Sequence, residues 1–293
     1  MDNFYKFYLL AYEVSTTIFD LVITMFGQVV TMFPIWAAHS EHGVFWRVFG
    51  WNTHWTVVSI MAFASIQLTT LSMCYLKKHQ TINNLTDTRF FHISPNNSRL
   101  LIASISLALA IQTFSFSMTA KSKAEQMKLV KILYPEFWMN FERIPSFVIY
   151  EKQFIMFFLL VTGSICQVSV GILIFVLTSH MLYILHKNNR KVSGIMYTKQ
   201  KIALYGLLAQ TSTYSCMLIP IACAVVIIAL DLQHITNVSL IFILMFSTHS
   251  SLNCIVMIFT TASFRKWILE KVFCRKTSNN LVNVKISMAN RET

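Results

Sequence analysis

Charge is what this sequence has least of. Only 12% of its 293 residues are Asp, Glu, Lys or Arg, about half the roughly 25% of an ordinary soluble domain, which excludes a normal water-facing surface. Glycine is scarce, at seven, and this counts against phosphate-cradling loops and against the broken helices of a transport core. There is no HExxH, no GxSxG and no pair of carboxylates within one apolar run, so nothing points to an enzyme or implies a cofactor. Cysteine is confined to Cys74, Cys166, Cys216, Cys223 and Cys254, in or beside apolar runs, and Cys274 near the end. With no CxxC pair, neither a loop disulfide nor a cysteine metal centre is expected.

What is present is apolar length. Hydrophobic residues make up 55% of the chain, gathered in six runs near 14–36, 54–75, 100–118, 154–185, 202–230 and 237–264. Each matches the roughly 20 residues that cross a bilayer as a helix. Strand-type alternation is missing, and backbone groups in lipid need partners within their own segment. The expected fold is all-α: one transmembrane helix bundle over residues 1–293 with six spans. After the last span, FRKWILEKVF sets Phe264, Trp267, Ile268 and Val272 on one face of an amphipathic interfacial helix. Cys274 beside it is a candidate for lipidation. The first run holds Asp20 and has no basic leader, so it does not read as a signal peptide.

Six spans put both termini on one side, and the basic residues say which. Lys6, then Lys77, Lys78, Arg89 and Arg99, then Lys187, Arg190, Lys191, Lys199 and Lys201, then seven from Arg265 to Arg291 all fall there. The positive-inside rule makes that side cytoplasmic. The formal charge of +12 resides mainly on it, which suits an anionic leaflet and an acidic partner and asks for no nucleic acid.

Polar residues inside the runs are the candidate functional groups, because burying them in hydrocarbon is costly. Gln210 and Pro220 interrupt the fifth run, the proline as a kink. Ser247-Thr248-His249-Ser250-Ser251 and Asn253 form a polar patch in the last run. Gln112, His249 and Asn253 are the candidate ligand contacts, and hydrogen bonds between helices are the alternative for each. Asp20, the acid inside a span, joins Gln210 and Pro220 as a candidate switch position or a structural hydrogen bond. His39, Glu41, His42 and His54 carry zinc-type ligands, but their loop spacing does not make a metal site. The outward loop 119–152, with Tyr134, Phe137, Trp138, Phe141 and Phe147, reads as an aromatic lid or as interfacial anchors. The sequon at Asn237 faces outward close to the membrane, a weak candidate for glycosylation.

TSHMLYILHKNNRKVSGIMYTKQKIALYGLLAQTSTYSCMLIPI resembles the fifth-to-sixth helix region of nematode serpentine chemoreceptors, most closely the Srh family of the Str superfamily. His180, Thr198, Gln200, Gln210 and Pro220 carry that resemblance. STHSSLNCIVMIFTTASFRKWILEKVF resembles the family's last helix through His249, Ser250, Ser251, Phe264 and Arg265. Tyr8-Leu9-Leu10, Asp20 and Pro34 resemble its first cytoplasmic loop and second helix. The likeness runs from about residue 5 to about residue 275. Because it starts after the family's first helix, the chain is expected to lack that helix of a seven-helix receptor. One departure stands at Tyr75-Leu76-Lys77-Lys78, where the family has an aromatic-acid-x-Arg pattern and Lys78 takes the arginine's place.

The resemblance implies a G-protein-coupled chemosensory receptor in the plasma membrane of sensory neurons. An odorant-like small molecule would bind between the helices. Lys78, Thr198, Gln200 and Arg265 would then face a heterotrimeric G protein. A truncated, non-signalling homologue acting as a dimerising partner, and a six-span transporter or channel, are the alternatives from other classes.

Overall fold

Helices long enough to cross a membrane form the body of the protein. The computed structural model describes residues 3–32, 36–40, 42–86, 93–151 and 153–187, then 194, 196–198, 200–209 and 211–213, with isolated positions from 241 to 259. Helix α1 covers Asn3–Leu21 and widens into a π-helical turn, Val22–Gly27; α2 is a short helix, Val44–Phe49. Helix α3 spans Thr53–Thr86, α4 Pro95–Ser117, α5 Lys123–Leu133, α6 Trp138–Arg143 and α7 Phe154–Lys187. The helical residues 200–209 and 211–213 are termed α8.

Among the described residues, four stretches have the length and apolarity of a span: Phe7–Gly27, Thr53–Asn84, Pro95–Ser117 and Phe154–Lys187. The last three begin or end within a few residues of the expected positions. The first does not. The expected helix at 14–36 instead starts at Asn3 and ends at Gly27. There Gln28 takes a left-handed backbone, φ 43°, and its N–H caps the π turn on Ile23 O. The β-branched run that follows leaves the helix for a strand.

Three short strands also qualify the all-α expectation. β1 (Val30–Thr31), β2 (Ala37–His39) and β3 (Phe147–Ile149) form an antiparallel sheet in that order, with Val30 opposite His39 and Ala38 opposite Val148. Two or three residues are too few to display alternation. The described part of the expected fifth span is helical as α8. Its remainder, the interfacial helix and all but isolated positions of the sixth span lie outside the described residues.

Helix α3 is the hub. The stripe Tyr12, Ser15, Thr16 and Phe19 of α1, continued by Val22 of the π turn, is buried, and α1 packs on α3. Small residues let the two helices approach and bond: Ser15 Oγ lies 2.9 Å from Thr70 Oγ1, and Gln67 Nε2 donates to Thr16 Oγ1 at 3.1 Å. On its other sides α3 sets Leu68, Leu71, Tyr75 and Leu76 against Ile174, Leu177 and Met181 of α7 and Leu204 and Leu207 of α8. The outward faces are equally apolar, with Leu100, Leu107 and Phe114 on α4 and Ile165, Ile172 and Phe175 on α7 all exposed. A helix apolar on every side is a membrane span or a deep core element. Helices α3 and α7 have 34 residues each, about 51 Å, so both overrun the roughly 30 Å hydrocarbon layer.

The sheet, α2, α5 and α6 form a lid over one end of the bundle. Val130, Phe141, Phe147 and Ile149 are its apolar centre. Ser122 and Glu125 close a capping box at the start of α5, satisfying two backbone donors that a helix end leaves open. Gly43 is required by space: a Cβ there would collide with the carbonyl oxygens of Phe26 and Gly27.

Candidate functional site

At the end of the bundle opposite the lid, one turn of α3 reaches both neighbouring helices. Tyr75 OH lies 2.7 Å from Thr211 Oγ1 of α8. Lys78 Nζ donates to Gln200 Oε1 at 2.6 Å, again on α8. His79 Nε2 lies 2.8 Å from His180 Nδ1 of α7, with ring centroids 5.0 Å apart. A helix brings residues i, i+3 and i+4 to one side, and this spacing aims the three groups of α3 at partners on two helices.

The Lys78–Gln200 bond is the short, charge-assisted member of the set. Lys78 is only 2% exposed, so its ammonium sits within the bundle rather than on the surface. A buried cation is costly without hydrogen bonds, and the amide oxygen of Gln200 supplies one at a separation typical of strong bonds. Separating α3 from α8 breaks this bond and the Tyr75–Thr211 contact together.

The lid end is organised by His54, the second residue of α3. Its ring stacks on Phe116 at 5.4 Å and 20°. Nδ1 lies 3.0 Å from Tyr150 OH and Nε2 lies 3.3 Å from Ser117 O. A carbonyl only accepts, so Nε2 carries the proton and Nδ1 accepts from the phenol. Burial pushes the Tyr150 phenol far above its ordinary range, which keeps it a donor. Beside it, Thr53 N donates to Ser146 Oγ at 2.9 Å, and Ser40 Oγ donates to Thr53 Oγ1 at 3.2 Å. Together these bonds tie the first residues of α3 to the residues flanking β2 and β3. Lys121 and Glu151 add an ion pair at 3.0 Å, about one-third exposed on each partner, a degree of exposure at which such pairs contribute little.

The expected site residues divide accordingly. Lys78 and Gln200, expected on one face, are in direct contact. Thr198 is exposed and donates to Gly194 O at 2.9 Å. Gln112 lies on α4, where Nε2 donates to Leu159 O at 3.0 Å directly over Gly163 of α7. Its amide serves the α4–α7 contact. Asp20 is half-buried near the end of α1, and its carbonyl accepts from Thr24 Oγ1 at 2.7 Å. His54 is engaged by Tyr150 and Ser117, and the described residues contain no group of three or more metal-type ligands. Gln210, Pro220, Asn237, His249, Asn253, Arg265 and Cys274 lie outside the described residues, as does Glu41.

Sequence reasoning missed His79 and Tyr150. Residues 76–86 read as a cytoplasmic loop because LKKHQTINNLT is polar, so His79 was not placed on a helix. The available signal was the absence of Pro and Gly from that stretch, which lets α3 continue.

The family described as serpentine type 7TM GPCR chemoreceptor Sri matches residues 1–268. No curated protein and no solved structure matches the chain. The serpentine chemoreceptor class agrees with the resemblance seen in the sequence, and the family is Sri where that resemblance pointed to Srh.

Proposed function

Since the chain belongs to the Sri family of serpentine 7TM GPCR chemoreceptors, we propose that it is a receptor for a small environmental molecule whose switch is the joint between α3 and α8. In the resting arrangement Lys78–Gln200 and Tyr75–Thr211 hold α8 on α3. Ligand binding between the helices favours an arrangement in which α8 moves away. The basic end of the bundle, with Lys78, Thr198, Gln200 and Arg265, then becomes available to a heterotrimeric G protein. Positive charge puts this end, and with it both termini, in the cytoplasm. A chemosensory role places the protein in the plasma membrane of sensory cells.

The observation that carries the reading is the contact between Lys78 and Gln200, residues 122 apart in sequence. A hydrogen bond to a neutral amide is weaker than one to a carboxylate, so this contact between α3 and α8 suits a reversible joint. The test is nucleotide exchange on a purified heterotrimer with the full chain in lipid nanodiscs. Gln200→Leu is expected to raise ligand-independent exchange and Gln200→Glu to lower it. Equal, zero exchange for all three forms would support a non-signalling partner of other receptors instead.

A further inference from the structure

Between α3, α7 and α8, away from the lid, lies a cavity of about 380 Å³. Leu68, Ile174, Phe175 and Leu208 supply its apolar wall. The volume is near the lower end of the roughly 300–1,000 Å³ typical of small-molecule sites, and such sites are mostly apolar with a few placed polar groups. The polar groups here are the amide of Gln167 and the hydroxyls of Thr178, Ser179 and Thr211. Among the described residues no charged side chain lines it, so these walls offer an ionic ligand no counter-charge at hydrocarbon depth.

Thr178 marks the place where a polar atom of a ligand fits. A hydroxyl within a helix usually bonds back to the carbonyl four residues earlier. Thr162, Ser164 and Ser169 of α7 all do so. Thr178 is 5% exposed, and its Oγ1 reaches only the Tyr75 hydroxyl, in a contact that falls short of full hydrogen-bond geometry. A buried hydroxyl without a well-formed hydrogen bond is unfavourable, and Thr178 lines the cavity together with Thr211. Phe175, at 72% exposure, and Gly171 stand on the exposed side of α7, so the opening is sideways, toward the bilayer.

We propose that this cavity is a binding site for an uncharged, mainly apolar molecule carrying one hydroxyl or carbonyl, which enters from the lipid and bonds Thr178. It is separate from Gln112, which serves the α4–α7 contact. Because Thr211 also holds Tyr75, an occupant acts on the same joint as the proposed switch. That consequence rests on the receptor reading; occupancy itself does not.

Occupancy is tested with the full chain in nanodiscs, photolabelled with 3-azioctanol and mapped by peptide mass spectrometry. Adducts are expected within 171–182 and 204–211, suppressed at least tenfold by excess octanol. Gly171→Trp should abolish them, since a side chain at that position meets nothing within 4 Å and fills the cavity. Ile165→Trp, on the exposed face of the same helix, should leave them unchanged. Thr178→Val should weaken competition by octanol about fivefold, the loss of one neutral hydrogen bond, while leaving competition by octane as it was. Should Gly171→Trp fail to fold, the Thr178→Val comparison decides alone. Labelling spread along the apolar faces of α4 and α7 and indifferent to octanol overturns the site. In that case the nucleotide-exchange test of the switch is unaffected.

Discussion

Replacing Gln200 by Leu removes an acceptor that holds Lys78 to α8 and leaves the apolar packing of α8 nearly intact. A hydrogen bond to a charged group contributes about 1.5–3 kcal/mol. Lys78 is 2% exposed, so water does not replace the lost bond while the helices stay together. At about 1.4 kcal/mol per factor of ten, the equilibrium between joined and separated helices shifts about 10- to 150-fold toward separation. If the separated form starts near 1%, within the usual range for a minor state, it rises to about 10% at the lower bound and to more than half at the upper. Distances between spin labels at Asn84, at the exposed end of α3, and Ile202, exposed on α8, report this directly. Non-cysteine attachment is needed because the chain has six cysteines. Gln200→Leu should add a longer-distance population, and Gln200→Glu should deplete it by supplying a charged partner. Identical distributions for all three forms, or a longer distance for both variants, would refute the role assigned to this bond.

Gly163→Ala should displace the Gln112 amide from Leu159 at a cost of about 0.6–1.7 kcal/mol, the range for hydrogen bonds between membrane helices. With Gln112→Ala already present the cost should shrink, and a thermal-unfolding cycle with strictly additive effects would count against the contact. Tyr150→Phe strands the buried Nδ1 of His54 at about 1–3 kcal/mol, whereas the double variant with His54→Phe should recover part of the loss in the same assay. Gly43→Ala should cost about 1–3 kcal/mol through overpacking, visible as a lower unfolding temperature. Hydrogen bonds from the Ser122 backbone N–H and hydroxyl hold the Glu125 carboxyl below its ordinary range. Its stabilisation of α5 is therefore present above the unfolded carboxylate pKa and lost as pH falls through the lower folded value. Hydrogen exchange in α5, corrected for intrinsic rates, should rise on acidification in the wild type and stay flat in Glu125→Gln.

Much of the bundle was legible because hydrocarbon tolerates few solutions. An apolar run at 154–185 with no internal break must satisfy its backbone as a helix, and α7 begins at Phe154 as expected. The errors fell where local polarity and local structure disagree. Residues 76–86 look like a loop, yet α3 continues through them because Lys78 and His79 find partners on α8 and α7. The run at 28–36 looks like membrane helix, yet β1 leaves the bundle to pair with β2, which in turn pairs with a strand more than 100 residues later.

Composition and order of residues by themselves determined a membrane-embedded helical body, the end that carries the positive charge, and the receptor class. The first two follow from transfer free energies and backbone satisfaction, which are summed along a segment and need no knowledge of its neighbours, whereas the receptor class came through the resemblance to a known family. Only the tertiary structure decided that Lys78 meets Gln200, that His79 meets His180, that Gln112 bridges two helices, and that Thr178 lines a cavity. Each of these depends on how the helices rotate about their axes and how far they slide past one another. That is settled by side chains from several segments packing at once, and no single stretch of sequence contains it.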